Sequence, residues 1–197
     1  MSRMVHAPRP VSPETQPMTT PQSVLAVHIR PEEPTDRDRI GAINDAAFGG
    51  PVEAGIVAAV RGTDRWIEGG SLVAEAVDDG PVGHLLLSVG DLVADDGTVR
   101  PIWVLGPVSV LPEHQGRGVG AALMRAAIEV ARQHHQPLVC LLGHASYYPR
   151  FGFEPARPIG VLPPAPYRDE SWMALRLPGW TPVMRGTVRF PPGFPED

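Results

Sequence analysis

Three glycines alternate within residues 116–120, between an apolar run and an amphipathic one. Ile102 to Leu111 is apolar almost throughout, which predicts a strand buried on both faces. Apolar residues then recur at helical spacing over residues 119–130, which predicts a helix. Glycines at a strand-to-helix turn let backbone N–H groups approach an anion closely, and the helix dipole adds to the attraction. The segment therefore predicts a phosphate site, although a tight turn without a ligand would give the same pattern.

Other phosphate-binding motifs do not fit this segment. The 17 residues that are lysine or arginine are all arginine, so a P-loop with its lysine is excluded. The glycine order is G-x-G-x-G and not the G-x-G-x-x-G of dinucleotide-binding folds. The next predicted strand ends at Leu142-Gly143 without the acidic residue that a nicotinamide ribose requires. Neither a nucleotide triphosphatase nor a nicotinamide-dependent enzyme is indicated.

The remaining pattern predicts a mixed α/β domain. Alternating apolar residues predict a first strand at Leu25 to Ile29, and Thr35 has the character of a helix N-cap. A second short helix is predicted over residues 52–60. Three extended runs separated by Asp-Asp-Gly turns then predict an antiparallel meander. These runs are Leu72 to Val77, Val82 to Val93 and Ile102 to Leu111.

Gly106-Pro107 interrupts the third of these runs. Proline cannot donate to a strand ladder, so the pair predicts a bulge or a strand that parts from its neighbour. The run, the following helix and a buried strand at Leu138 to Leu142 form a βαβ unit, whose two strands should be parallel. A short helix over Ser146 to Phe151 and an extended segment at Trp172 to Leu177 complete the predicted sheet.

The chain divides into three segments by composition. Residues 1–24 are rich in proline, serine and threonine, which predicts a disordered tail. Residues 25–177 contain all the periodic segments and form the predicted domain. Residues 178–197 carry aromatic anchors among prolines and glycines, which predicts an arm packed on the domain.

Charge and cysteine content exclude several classes of protein. The 22 acidic residues outnumber the 17 arginines, giving a formal net charge of -5, so we expect no nucleic-acid partner. The single cysteine, Cys140, cannot form an internal disulfide or a cysteine-based zinc site, and we expect no metal. No stretch approaches the ~20 apolar residues of a membrane span, so no membrane association is expected. These features predict a cytoplasmic protein.

Two motifs in the second half of the chain resemble one family. The segment from Val108 to Leu123 is similar to the coenzyme A signature of the GNAT superfamily, in which a strand ending V-x-P precedes Q/R-x-x-G-x-G/A at a helix start. The segment from Tyr147 to Phe153 is similar to the family's tyrosine followed by Gly-Phe. With Gly186 to Phe190, the pattern resembles the YhbS-like predicted acetyltransferases. The resemblance implies a GNAT-like fold with a mostly antiparallel sheet, acetyl-CoA as co-substrate, and acetyl transfer to an amine.

The resemblance also implies roles for individual residues. Tyr148 matches the family position whose hydroxyl faces the coenzyme sulfur, which makes it the expected general acid. The strand residues are expected to offer backbone groups to the pantetheine arm and the thioester, and the loop and first helical turn are expected to hold the pyrophosphate. The residues expected to bind the coenzyme are Val108, Ser109, Val110, Gln115, Gly116, Arg117, Gly118, Val119, Gly120 and Ala121.

The general base is where the chain departs from the family pattern. Some members carry a glutamate on the central strand, but Val104 occupies that position here. An alkylammonium near pKa 10 costs about 4 kcal/mol to deprotonate at neutral pH, so a base or a water chain is expected. The candidates from topology are His84, Asp91 and His144.

The acceptor is expected to be a small-molecule amine or a protein N-terminus, with a small amine favoured. Phe48 to Glu53 and the region from Asp91 to Arg100 are expected to line its site. An acetyl-CoA sensor without catalytic activity stays open as an alternative, as does a longer acyl-CoA or a hydroxyl acceptor. The sequence does not indicate the oligomeric state.

Overall fold

The computed structural model describes residues 24–194 of the 197, so most of the predicted N-terminal tail lies outside the described residues. The described chain contains strands β1 (Val27–Pro31), β2 (Trp66–Ala76), β3 (Gly80–Val93), β4 (Val99–Val110), β5 (Leu138–Leu142), β6 (Glu154–Pro155), β7 (Val161–Leu162), β8 (Trp172–Arg176) and β9 (Gly186–Arg189), and helices α1 (Arg37–Phe48), α2 (Val52–Val60) and α3 (Val119–Gln133). Short 3-10 turns follow β1 and β4, and others lie in the segments after β5 and β6.

All nine strands of the described chain join one sheet, in the order β1-β2-β3-β4-β5-β8-β6 with β9 pairing β3 and β7. The β4–β5 and β7–β9 pairs are parallel, and the other pairs are antiparallel. The long connection through α3 is what permits a parallel pair at β4 and β5. The predicted mixed fold, with an antiparallel meander and one βαβ unit, is confirmed.

Helices cover both faces of the sheet. On one face, α3 packs its apolar stripe, including Leu123 and Ala127, against β2 and β3 residues such as Leu85. On the other face, α1 and α2 pack against Val73 and Leu86. Because β3 and β4 are covered on both sides, most of their residues are buried, as expected of central strands.

The Gly106-Pro107 interruption lies where β4 leaves β5. The pairing of β3 with β4 shifts by one residue between Leu85 and Leu87, which gives β4 a bulge at this point. The parallel partners of β4 in β5 are confined to Trp103 and Val104. Beyond them, the edge of β4 that faced β5 has no strand partner. The predicted bulge and the predicted parting of the strands are both confirmed.

Several element starts differ from the sequence prediction, and three of them have a visible cause. The first strand begins at Val27, because Leu25 instead donates its backbone N–H to the carbonyl of Arg117 at 2.9 Å. Strand β2 begins at Trp66, ahead of a register irregularity that apolar alternation cannot reveal. Thr35 is not the N-cap of α1: it lies inside a 3-10 turn, and Asp36 accepts a hydrogen bond from the Glu33 N–H at 2.8 Å.

The described part of the C-terminal segment runs back along the sheet. Strand β9 pairs Asp91 to Val93 of β3 through residues 187–189. Phe190 then packs on Trp172 and Phe194. None of the helices within residues 24–194 is long and apolar enough to span a membrane.

Candidate acetyl-transfer site

The glycine loop has the backbone geometry that its sequence predicts. Gly116 and Gly118 have φ values of 71° and 88°, in the left-handed region that favours glycine. Helix α3 begins directly afterwards at Val119, and no side chain caps its N-terminus. The first amides of a helix have no partner within the helix, so those of α3 are available to an anion.

The loop is held by contacts at both of its ends. Gln115 donates its side-chain amide to the backbone carbonyl of Val110 at 3.0 Å, which ties the loop to the end of β4. Arg117 is half-buried and its guanidinium lies 3.5 Å from a ring nitrogen of His114. Val119 is 1% exposed, so its side chain anchors the helix in the core. Only the backbone of Val119 can face a bound phosphate.

Gly120 and Ala121 form the first turn of α3 and lie beside the tyrosine segment. A Cβ atom added to Gly120 would lie 3.0 Å from the hydroxyl of Tyr147. Tyr147 is half-buried, and the Arg150 guanidinium stacks 4.7 Å from its ring centroid. This close approach favours a glycine at position 120, and it joins the glycine loop to the segment that carries Tyr148.

Tyr148 is fixed by packing on three sides. Its ring meets Tyr147 edge-on at a centroid distance of 5.1 Å and Phe153 at 6.0 Å. On the third side lies Gly143, where an added Cβ would come within 2.2 Å of Tyr148 Cε2. The Tyr148 hydroxyl forms no hydrogen bond with any residue in the described chain. The phenol therefore has a defined position and a free donor.

Burial raises the pKa of Tyr148 to about 12, with a smaller contribution from Tyr147. Burial also raises the pKa of Tyr147, against the opposing charges of Arg150 and Arg125. Both phenols consequently stay protonated at neutral pH. Tyr148 can act as a hydrogen-bond donor but not as a base.

A cavity of about 490 Å³ opens where β4 and β5 part. Its walls come from the bulged part of β4, the end of β5, helices α1 and α2, and the C-terminal segment. The residues around it are Phe48, Val52, Glu53, Ile56, Val104, Leu105, Gly106, Pro107, Val108, Leu142, Gly143, His144, Tyr148, Tyr167, Phe190 and Phe194. Val108 and Tyr148 thus share one cavity, whereas Ser109, the next residue of β4, is buried and does not line it.

His84, one of the three candidate bases, does not line this cavity. Its side chain is 0% exposed and both ring nitrogens have partners: Asn44 Nδ2 at 3.3 Å and Ser71 Oγ at 2.9 Å. Ser71 donates its own proton to Glu32 at 2.5 Å, so it accepts from His84 Nε2. Burial lowers the pKa of His84 to about 3, with a smaller contribution from Arg61. His84 is therefore a neutral buried residue, and the structure does not bring this predicted base into the cavity that contains Tyr148.

Asp91 also lies away from the cavity. Its carboxylate accepts hydrogen bonds from Arg65 at 2.8 and 3.3 Å, and Arg189 lies 3.7 Å away. Asp91 lines a different cavity from Tyr148, so the structure does not bring it together with the proposed acid. His144 is exposed and does line the main cavity, at the end of β5.

Several cavity residues were not predicted from the sequence as site residues. Tyr167, Phe190 and Phe194 come from the segment after β5 and form an aromatic wall. Phe48 and Glu53 do lie in the range predicted to line the acceptor site, but the Asp91 to Arg100 region is absent from this cavity. Within residues 24–194, no group of three or more histidine, cysteine, aspartate or glutamate side chains is placed to hold a metal ion.

The parting of β4 from β5 beside a glycine-rich helix start is compatible with the acyl-CoA-dependent N-acyltransferases, the class implied by the sequence motifs. The family model for the acetyltransferase (GNAT) domain matches residues 28–156. The chain is 34% identical over 159 residues to the uncharacterized N-acetyltransferase YjhQ of Escherichia coli K12, a match covering 79% of this chain and 87% of YjhQ. The chain therefore belongs to the GNAT acetyltransferase family and is an acetyl-CoA-dependent N-acetyltransferase, as the motifs predict.

Solved structures agree with this assignment. A GNAT family acetyltransferase from Brucella melitensis, solved in complex with acetyl-CoA, is 31% identical, with a TM-score of 0.70 and coverage of 86% of this chain and 99% of that one. YhbS of Escherichia coli, solved with CoA, has a TM-score of 0.72 over 86% of this chain and 92% of its own. At 23% identity, YhbS supports the fold alone.

Proposed function

We propose that this chain moves the acetyl group of acetyl-CoA directly to a primary amine of a small molecule or a protein N-terminus. One observation carries the proposal: the unpaired phenol of Tyr148 shares a cavity with the strand edge at Val108, which has lost its partner strand. A free strand edge can hold an extended coenzyme arm, and a fixed phenol can meet its sulfur.

The local geometry fits acetyl-CoA. Left-handed glycines, uncapped α3 amides and the half-buried Arg117 supply what a pyrophosphate needs. In this proposal, residues 115–121 hold the pyrophosphate, and Val108 to Val110 offer backbone groups to the pantetheine arm and the thioester carbonyl. A single backbone donor to a developing oxyanion is worth about 3 to 4 kcal/mol in comparable enzymes.

Tyr148 is the proposed acid that assists the departing thiolate. With its pKa raised to about 12, full proton transfer to a thiolate whose conjugate acid has a pKa near 8.5 would cost about 5 kcal/mol. Hydrogen bonding to the developing thiolate is therefore the favoured form of assistance. A free coenzyme thiol forms once the sulfur takes a proton from Tyr148 or from water.

The amine must lose a proton before it attacks. Of the three candidate bases, only His144 lines the cavity, and its exposure places it in contact with solvent. We propose that the proton leaves by way of His144 or water. No carboxylate stands at the family's central-strand position, because Val104 lines the cavity there.

Calorimetric titration with acetyl-CoA, followed by a thiol-release assay over a panel of amines and short peptides, tests this function. We expect acetyl-CoA to bind and at least one amine to stimulate thiol release. Binding without release for any acceptor would favour the alternative of an acetyl-CoA sensor. Absence of binding would overturn the assignment of the glycine loop.

A further inference from the structure

Within residues 24–194, every partly or fully buried acidic side chain except one forms an ion pair with an arginine. The pairs are Glu32 with Arg61, Asp36 and Glu75 with Arg30, Asp91 with Arg65, and Glu154 with Arg176. Glu53 is the exception in this part of the chain, because it is half-buried yet has no ion pair or hydrogen bond with a described residue. Partly desolvated carboxylates are costly without a partner, which makes this exception informative.

Glu53 is directed at the acetyl-transfer cavity. It lies in the first turn of α2, and Ile56 lies three residues further on, on the same side of the helix. Both residues line the cavity that contains Tyr148. The unpaired carboxylate is therefore exposed to whatever molecule occupies the space beside the bulged part of β4.

Apart from His144 and the Tyr167 hydroxyl, the side chains around Glu53 in this cavity are mainly apolar. Phe48 from α1 and the C-terminal Phe190 and Phe194 surround the space, together with Val52 and Ile56. Aromatic faces bind apolar groups, and they also attract cations. A cavity with one carboxylate and an apolar, aromatic wall complements a molecule with one positive charge on an apolar body.

We propose that the acceptor is a monocationic primary amine with an apolar or aromatic body, and that Glu53 binds its ammonium group. This inference rests on the proposed acetyl transfer and names the substrate class for it. A polyamine would leave further charges without partners in an apolar cavity, and the carboxylate of a free amino acid would be repelled by Glu53. A peptide N-terminus would bring several amide groups into a space that offers them few partners.

The transfer step balances without a further reactant. The bound ammonium releases one proton to solvent and becomes a nucleophilic amine. Its lone pair forms the N–C bond while the C–S bond breaks, and the nitrogen loses a second proton as the thiolate gains one. Glu53 binds the cation and brings the amine to the thioester, so it determines specificity and is distinct from the acid, Tyr148.

Steady-state kinetics with phenylethylamine, phenylalanine, spermidine and a short peptide test the substrate class. We expect kcat/KM to be highest for phenylethylamine. Glu53→Gln should raise its KM about 10- to 100-fold, since a hydrogen bond to a charged group contributes about 1.5 to 3 kcal/mol. The affinity for acetyl-CoA should not change, and Glu53→Asp should retain part of the amine affinity.

Phenylethanol, the uncharged analogue, separates loss of charge recognition from damage to the cavity. We expect it to inhibit competitively against phenylethylamine, with the same inhibition constant in the unchanged protein and in Glu53→Gln. Glu68→Gln is the matched control, because Glu68 is an exposed glutamate on β2 away from the cavity. It should behave like the unchanged protein.

Different failures lead to different conclusions. A preference for spermidine, phenylalanine or the peptide, an unchanged KM in Glu53→Gln, or no inhibition by phenylethanol would overturn this inference and leave acetyl transfer intact. If acetyl-CoA binds but no amine or peptide is acetylated, the proposed function fails and this inference fails with it.

Discussion

Gly143→Ala tests whether the position of Tyr148 controls the rate. The alanine Cβ would lie 2.2 Å from Tyr148 Cε2 and 3.0 Å from Cδ2 and Cζ, whereas ordinary contact begins at 3.4 Å. The ring or the end of β5 must therefore move by about 1.2 Å. Displacements of about 1 Å at a reacting centre cost on the order of 100-fold in rate. We expect kcat to fall by about that factor.

Tyr148→Phe provides the comparison that isolates this effect. If Gly143→Ala acts through the phenol, it should lower kcat much less in the Tyr148→Phe background than in the unchanged protein. The effects of substitutions at residues in contact are not additive. Gly41→Ala is the control, since a Cβ there meets nothing within 4 Å. Rates should be measured well below the melting temperature, because overpacking itself costs about 1 to 3 kcal/mol. An unchanged kcat in Gly143→Ala, or full additivity with Tyr148→Phe, would refute the reasoning.

Further predictions concern the loop, the acid and the buried histidine. Gly118→Asp should abolish acetyl-CoA binding by calorimetry, whereas Gly97→Asp, with a similar φ of 81° and open space, should bind normally. Tyr148→Phe should lower kcat with little change in acetyl-CoA affinity; an unchanged kcat over an amine panel would make Tyr148 structural. His84 is neutral when folded, with its pKa lowered to about 3, so its contribution to stability is complete above about pH 6.5 and decreases toward pH 3. Thermal unfolding should show less acid destabilisation in His84→Gln; an identical pH profile would contradict this.

The glycine loop and the parting of β4 from β5 were predictable because local sequence determines them. Glycines at a strand-to-helix turn, the amphipathic pattern of α3 and the Gly106-Pro107 interruption each act over a few residues. The loop geometry and the parting of β4 from β5 therefore follow from the sequence. The position of Tyr148 follows only in part, since Gly143 makes room for the ring across a loop.

Two predicted bases lie away from the main cavity because long-range contacts decide where a polar residue is placed. His84 and Asp91 are polar residues on a central strand, which sequence alone cannot separate from catalytic groups. Their partners Ser71 and Arg65 come from a different part of the chain, and only the fold brings them together. Likewise, nothing in the local sequence shows that Glu53 lacks an arginine partner, because that property depends on where every arginine lies.

The family model matches only part of the chain that forms the cavity. The family model ends at residue 156, and it contains the glycine loop, the free edge of β4 and Tyr148. Tyr167, Phe190 and Phe194 lie beyond that end, yet they form the aromatic wall of the same cavity. The aromatic wall therefore lies outside the segment that the family model matches, whereas Glu53 lies inside it. Because the C-terminal aromatic residues and Glu53 line the same cavity, acceptor specificity in this chain should depend on both. Substitutions of these aromatic residues should change the KM for the amine more than the affinity for acetyl-CoA.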